Sequence, residues 1–305
     1  MTSQAIRQSS PTLLYSSSQA LFAVLLFSLT VPMTQLALAD FSAEFIASSR
    51  ALVAGLLAWL VIQHHGWKAP EAQVWPWLLL AGTGVVLGFP YLLSVSLTQV
   101  PTADVGVVLA GLPLTTSLLG AWLHQERHNL TFWLLAISGF VLLALYVVLS
   151  LGELPTFSGH HLLLLAATLV MGGIGYSAGA RAAKMIGGWQ TICWTLLLYL
   201  PLSALLWGIS WGYQAPTFQQ PVTGESLLSL AYLILISQLW GFKFWYQALA
   251  SHGVGRISQL QLLQPFFTLF FISVLLQQAI GWLQLVFCLL IVLCVCASLK
   301  TAQQR

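Results

Sequence analysis

Charge is what this chain has least of. Ten Lys and Arg and seven Asp and Glu are spread over 305 residues, 6% of the total, against about 25% in soluble domains. A solvated globular surface is excluded at that density. Cysteine is scarce too, and Cys193, Cys288, Cys294 and Cys296 all fall inside apolar runs. Their Cys-Val-Cys spacing fits neither a zinc site nor a redox pair, so they read as small buried hydrophobes and no metal is assigned. No Walker motif is present to suggest ATP use. The N-terminal tail has no small-residue cleavage site, so the first apolar run reads as a retained span.

What is present is hydrocarbon: 58% of residues are hydrophobic and the mean hydropathy is +0.88. Polar clusters cut the chain into about ten segments, near 18–38, 41–63, 74–97, 101–123, 131–149, 159–180, 187–210, 226–250, 254–276 and 280–299. Each is about 20 residues, the length that crosses roughly 30 Å of hydrocarbon as a helix. Lipid leaves backbone groups no partner but each other, and the short alternating segments of a barrel are missing. The expectation is an all-α membrane protein of ten transmembrane helices. Arg7, Lys68, Arg127, Arg181 with Lys184, Arg256, and Lys300 with Arg305 fall in the tails and alternate loops, whereas Asp40, Glu153 and Glu225 mark the opposite loops. That bias places both termini in the cytoplasm. The net charge of +3 is then a topology signal, and nucleic acid is not an expected partner.

The chain also says one thing twice. "LPLTTSLLGAWLHQE" (112–126) and "QPFFTLFFISVLLQQ" (264–278) each place a proline in an apolar run that ends in two polar residues. Pro113 maps onto Pro265 by the same gap-free step that lays Leu97 over Leu249, Thr116 over Thr268 and Gln125 over Gln277. Five spans per half is an odd number, so the second copy enters the membrane from the opposite side. Inverted repeats are a transporter plan. The expected organisation is a tail (1–17), one five-helix repeat (18–150), a second (159–299) and a C-terminal tail (300–305).

Two five-span copies, each with a span ending in a proline-to-acid pattern such as Pro113 to Glu126, and an Arg in the second span as in "FIASSRALVAGLLAWL", resemble the EamA-type transporters of the drug/metabolite transporter superfamily. The resemblance covers residues 20–299. It implies a ten-helix carrier of the bacterial inner membrane, often an exporter of amino acids or other small metabolites, with a central cavity between the halves. One departure stands out: the second copy has Gln278 where the family usually has Glu. On the side that lacks Lys and Arg, that change need not mean lost function.

Arg50 sits near mid-span, where an Arg costs about 2.5–3.5 kcal/mol on insertion scales and needs a cavity or a partner. It either contacts substrate or pairs with Glu44, Asp104 or helix carbonyls. Lys243 either snorkels to the interface or faces the cavity beside Trp240 and Gln247. Ser258, Gln261, Pro265 and Thr268 share one helix face in the ninth span, with Gln264 beside it; an amide in hydrocarbon needs a bond, so that face looks inward. The first span repeats the theme with Ser28, Pro32 and Gln35. Pro32, Pro113 and Pro265 are the expected hinges, since a mid-membrane proline frees a carbonyl and permits a bend. Pro90 and Pro201 admit the same argument. Tyr91, Trp194 and Trp245 are candidates to cover an apolar part of the cargo.

Other motifs read as structure. Gly84 with Gly88, and Gly175 with Gly179, have small-xxx-small spacing for close helix packing. Asp104 suits a helix N-terminus, and Glu126 joins a local cluster with His124, Arg127 and His128. His64-His65 and His160-His161 are too adjacent to share a helix face. The sequon at Asn129 would face the cytoplasm. No paired acids or Ser/His set suggests a lipid-modifying enzyme. The expected function is secondary transport of a small molecule such as an amino acid or organic anion, without cofactor, by a monomer or homodimer. A non-transporting sensor or subunit is the alternative.

Overall fold

The computed structural model describes residues 12–151, 158–214, 221–276 and 281–301. Every regular element among them is helical: α1 (Leu13–Phe27), α2 (Thr30–Ala37), α3 (Ala43–His65), α4 (Trp75–Gly82), a π segment (Thr83–Gly88), α5 (Phe89–Gln99), α6 (Thr102–Leu109), α7 (Leu112–His124), α8 (Leu130–Leu151), α9 (Gly159–Ile186), α10 (Gly188–Gln214), α11 (Gly224–Tyr232), a second π segment (Leu233–Trp240), α12 (Gly241–His252), α13 (Val254–Ser258), a 3-10 turn (Gln259–Leu263), α14 (Gln264–Leu276) and α15 (Trp282–Thr301). Polar residues start several of them. Ser42, Ser158 and Thr223 each accept the backbone N–H three residues on, at the heads of α3, α9 and α11, satisfying a donor with no partner inside the helix.

Seven stretches among the described residues are long and apolar enough to cross a membrane: Leu13–Ala37, Ala43–His65, Trp75–Gln99, Leu130–Ser150, Gly159–Ile186, Gly188–Gly212 and Gly224–His252. The fourth and ninth expected spans are each broken instead, at Ala110–Gly111 and across Gln259–Leu263, and the tenth contributes the 20-residue α15. Proline is the physical reason for the breaks. Pro113 and Pro265 lack an N–H, and each ring would crowd the carbonyl four residues back, at Leu109 and Gln261. Each becomes the second residue of a fresh helix, where proline is welcome.

The repeat seen in the sequence recurs in the element boundaries. Helices α7 and α14 are 13 residues each and start at 112 and 264. The two π segments end at 88 and 240, where α5 and α12 take over. One constant step relates all of these positions.

Hydrogen bonds sort the bundle into two ends. Ser16 meets His252 and Ser251, Glu126 meets Val254, and Asn129 meets the Thr301 carbonyl, so the beginning of α1 and the end of α15 share a face, here called the termini end. At the far end Gln35 meets Thr102, Gln99 meets His160, and Asp40 accepts from Thr223; those Thr223 bonds hold the Asp40 carboxyl below its ordinary value. Between the ends, backbones touch. A Cβ on Gly84 would lie 2.5 Å from the Gly175 Cα, so only glycine lets the first π segment rest against α9.

Candidate functional site

A cavity of about 330 Å³ lies within the bundle. Its wall runs from Phe27, Tyr176 and Phe242 at mid-span to Thr102, which opens α6, and Ser150, which lies next to the end of α8. It therefore extends towards the far end. The lining is mostly aliphatic and aromatic, and Arg50 is its one charged side chain among the described residues.

Arg50 is 2% exposed. Its Nε donates to Gln238 Oε1 at 3.1 Å and its Nη2 to Ser237 Oγ at 3.2 Å, while Nη1 has no partner. Gln238 in turn donates to the Val85 carbonyl at 3.0 Å. That carbonyl is free for a local reason. In the first π segment Phe89 bonds back to Gly84, and the next residue, Pro90, has no N–H to offer Val85. The amide of Gln238 fills that gap, and its oxygen fixes the guanidinium. The Ser237 and Thr30 hydroxyls, 3.0 Å apart, complete the frame.

A second proline-freed carbonyl is treated the same way. Pro32 cannot bond Ser28, and Thr268 of α14 donates to the Ser28 carbonyl. Gln264 donates to the neighbouring Phe27 carbonyl at 3.1 Å. The break in the first span is thus held by the first turns of α14. Gln261 differs from its neighbours: it is 5% exposed, lines the cavity, and neither Nε2 nor Oε1 has a partner.

Towards the termini end α7 and α13 are bonded to each other. Ser117 Oγ and Ser258 Oγ lie 3.0 Å apart, Gln259 Nε2 donates to Ser117 at 2.9 Å, and both hydroxyls reach the Gly255 carbonyl. Gly120 leaves room for Val254, which a Cβ there would meet at 2.7 Å. Beyond them the local cluster expected around Glu126 is kept in part, through His128, and extended to another helix. Gln125 adopts a left-handed conformation (φ 54°), and Glu126 beyond it accepts the N–H groups of Val254 at 2.8 Å and Gly255 at 3.0 Å. His128 Nε2 stands 3.3 Å from the same carboxylate, while Arg127 is exposed. The first N–H groups of a helix have no partner inside it and carry positive potential, which is why the carboxylate goes there and not to Arg127. Burial pushes the Glu126 carboxyl up, but the His128 ring and the two N–H groups outweigh this and hold it at about 2. His124 leaves the cluster as well, with Nε2 2.8 Å from the Ser177 carbonyl.

The cavity gathers Arg50, Gln261, Gln264, Pro32, Pro113 and Pro265. It does not gather the other candidates. Tyr91 is 41% exposed on the outside of α5. Trp194 is buried against Trp75, and Trp245 is wholly buried against Phe27 and Tyr176. Lys243 stands over the Trp240 and Trp189 rings at 4.6 and 5.0 Å, a cation–π contact away from the cavity. Gln35 is exposed at the far end. Apolar packing claimed the indoles, and the aromatic rings claimed the ammonium. Gln278 and the side chain of Asp104 lie outside the described residues. Ser237, Gln238 and Tyr176 were missed, although a glutamine inside the apolar run "LILISQLW" was a signal in plain view.

Apolar helices of membrane-crossing length around an internal cavity define a multi-pass membrane protein. The model of the EamA-like transporter family matches residues 15–150 and again 158–299. The chain belongs to that family. A Bacillus subtilis (strain 168) protein named "Uncharacterized transporter YdeK" is 36% identical over 280 residues, covering 92% of this chain and 95% of the relative. A solved crystal structure shares the fold, with a TM-score of 0.74 at 19% identity over 93% of this chain and 97% of its own.

Proposed function

We propose that the protein is a secondary transporter that moves a small metabolite bearing an anionic group, an amino acid or an organic acid, across the bacterial inner membrane by alternating access, in the direction of export. The observation that carries this reading is the unequal treatment of the two ends: the Arg50 cavity extends towards the far end, while at the termini end α7 and α13 are bonded together through the Glu126 seam. The matching boundaries of α7 and α14, and of the two π segments, support two copies of one five-helix unit in opposite orientations. Such copies give a fold two forms of similar energy. With the termini cytoplasmic, as the Lys/Arg bias favours, the cavity in this form faces outward and the seam is the inner gate.

The cargo would meet Arg50 Nη1, since a guanidinium with a spare donor in a mostly apolar cavity favours a carboxylate. The described lining residues include no carboxylate, which supports exchange or facilitated diffusion as readily as proton antiport. Counterflow of a radiolabelled metabolite panel in proteoliposomes tests the reading. Arg50→Ala is expected to lower flux about tenfold to a hundredfold, the range of a lost charge-assisted bond. Unaltered flux would remove Arg50 from the site.

A further inference from the structure

We propose that this cavity selects monoanions with an apolar body and no cationic group: small hydrophobic carboxylates, in preference to zwitterionic amino acids. The proposal rests on the cavity being the transport site and names what that site prefers.

Charge argues first. Arg50 is 2% exposed, and both of its bonded donors go to neutral acceptors, Gln238 and Ser237. No described lining residue is acidic. A buried cation without a counter-ion is costly, and an anion that supplies the missing charge relieves that cost. Nη1 is the donor left for it. In an α-amino acid the ammonium is bonded to the carbon that bears the carboxylate. A carboxylate seated on Arg50 would therefore carry a second positive charge close to the guanidinium, where the low local dielectric makes repulsion strong.

Gln261 adds a second, independent observation. Its amide is 95% buried, lines the same cavity, and neither polar atom has a partner. An amide left so is expensive unless a ligand completes it. Tyr176 interacts with the Gln261 amide, though without full hydrogen-bond geometry, and lies within electrostatic reach of Arg50, so it links the two; Nε2 is then a second donor that a carboxylate can engage. Among the described lining residues an ammonium would meet the neutral Oε1, scattered hydroxyls and aromatic faces, none of them charged. The rest of the wall, including Phe27, Val31, Phe89, Leu93, Leu143 and Leu269, matches an aliphatic or aromatic body. Aromatic faces could attract a cation, and the experiment includes that outcome.

Three compounds share one phenylethyl body: 3-phenylpropanoate, phenylalanine and 2-phenylethylamine, an anion, a zwitterion and a cation at pH 7. Titration calorimetry on the full-length protein in nanodiscs, at low salt, is expected to show 3-phenylpropanoate binding about tenfold to a hundredfold more tightly than phenylalanine, with the amine weaker still. Arg50→Gln should abolish the preference. Because Arg50 also holds Gln238 and Ser237, Gln261→Leu provides a second test: anion binding several-fold weaker, with a thermal midpoint unchanged or raised, since a buried unpartnered amide is removed. Phenylalanine or the amine binding as tightly as the anion, no binding by any of the three, or full anion affinity in Gln261→Leu would each overturn the proposal. The carrier reading has its own readout in proteoliposomes. Arg50-dependent counterflow of phenylalanine would sink the selectivity and leave the carrier. The predicted binding order without movement of 3-phenylpropanoate would sink the carrier and leave the selectivity.

Discussion

Gln259 and Gln261 stand two residues apart on the same 3-10 turn, and both are buried. Gln259 points into the seam and donates to Ser117; Gln261 lines the cavity with both polar atoms unpartnered. The same contrast divides the two regions they belong to. At the seam Ser117, Ser258 and Glu126 are bonded across to one another's helices, although Thr116 Oγ1 and Arg256 Nε nearby have no partner; at the cavity the groups without one, Arg50 Nη1 and the Gln261 amide, belong to residues that line the space itself. Polar groups that satisfy each other close a bundle. Those left waiting give a ligand something to complete.

Breaking the seam should have the largest effect. Glu126→Ala leaves the Val254 and Gly255 N–H groups buried without acceptors, and hydrogen bonds to a charged group are worth about 1.5–3 kcal/mol each. The expected result is a shift of at least a hundredfold towards a form open at the termini end, read as faster alkylation of a cysteine placed at Ser258 by a reagent applied from that side.

Loosening the cavity wall should matter less. Thr268→Val keeps the shape but leaves the Ser28 carbonyl, freed by Pro32, without the donor it has now. A loss of about 1 kcal/mol is expected, seen as a lower thermal midpoint in detergent with the seam accessibility unchanged. An equal change at both ends would mean that the two regions are not separable.

Acidity should matter least. In the closed seam the Glu126 carboxyl is held at about 2 against an ordinary 4.5. A lowered pKa gives stabilisation that is complete above the unperturbed value and is lost as pH falls towards the lowered one. Between pH 5 and pH 8 the Glu126 carboxylate stays ionised, so its bonds to the Val254 and Gly255 N–H groups are constant. The thermal-midpoint advantage of wild type over Glu126→Gln should then persist above about pH 4.5 and shrink only as the pH falls towards about 2.

Much of this was legible in the sequence, because it follows from local chemistry. The proline pattern located the constant step that recurs in the element boundaries, and the cost of Arg in hydrocarbon singled out Arg50, which lines the cavity. The face shared by Gln261 and Pro265 also reaches the cavity. Broken spans were less legible: hydropathy cannot tell one apolar helix of 23 residues from a short helix, a 3-10 turn and a second helix, as at Val254–Leu276. Local spacing suggested His128, which does pair with Glu126, but the two backbone donors of Glu126 lie 128 and 129 residues away, beyond the reach of spacing. Tyr91, Trp194 and Trp245 were chosen for depth in the membrane, but depth does not say which way a ring faces.

Locking the seam tests alternation most directly. Ser117 and Ser258 place their hydroxyls 3.0 Å apart, close enough for paired cysteines to be oxidised to a disulfide. With Cys193, Cys288, Cys294 and Cys296 replaced by alanine, Ser117→Cys and Ser258→Cys would be combined with Ala110→Cys, a thiol in the cavity wall. A membrane-impermeant maleimide would be supplied from one side of the liposome at a time. Alternating access predicts that the reduced protein is labelled at Ala110→Cys from both sides, and the oxidised protein from the far-end side alone. Labelling from the termini side that continues at the same rate after oxidation would contradict it.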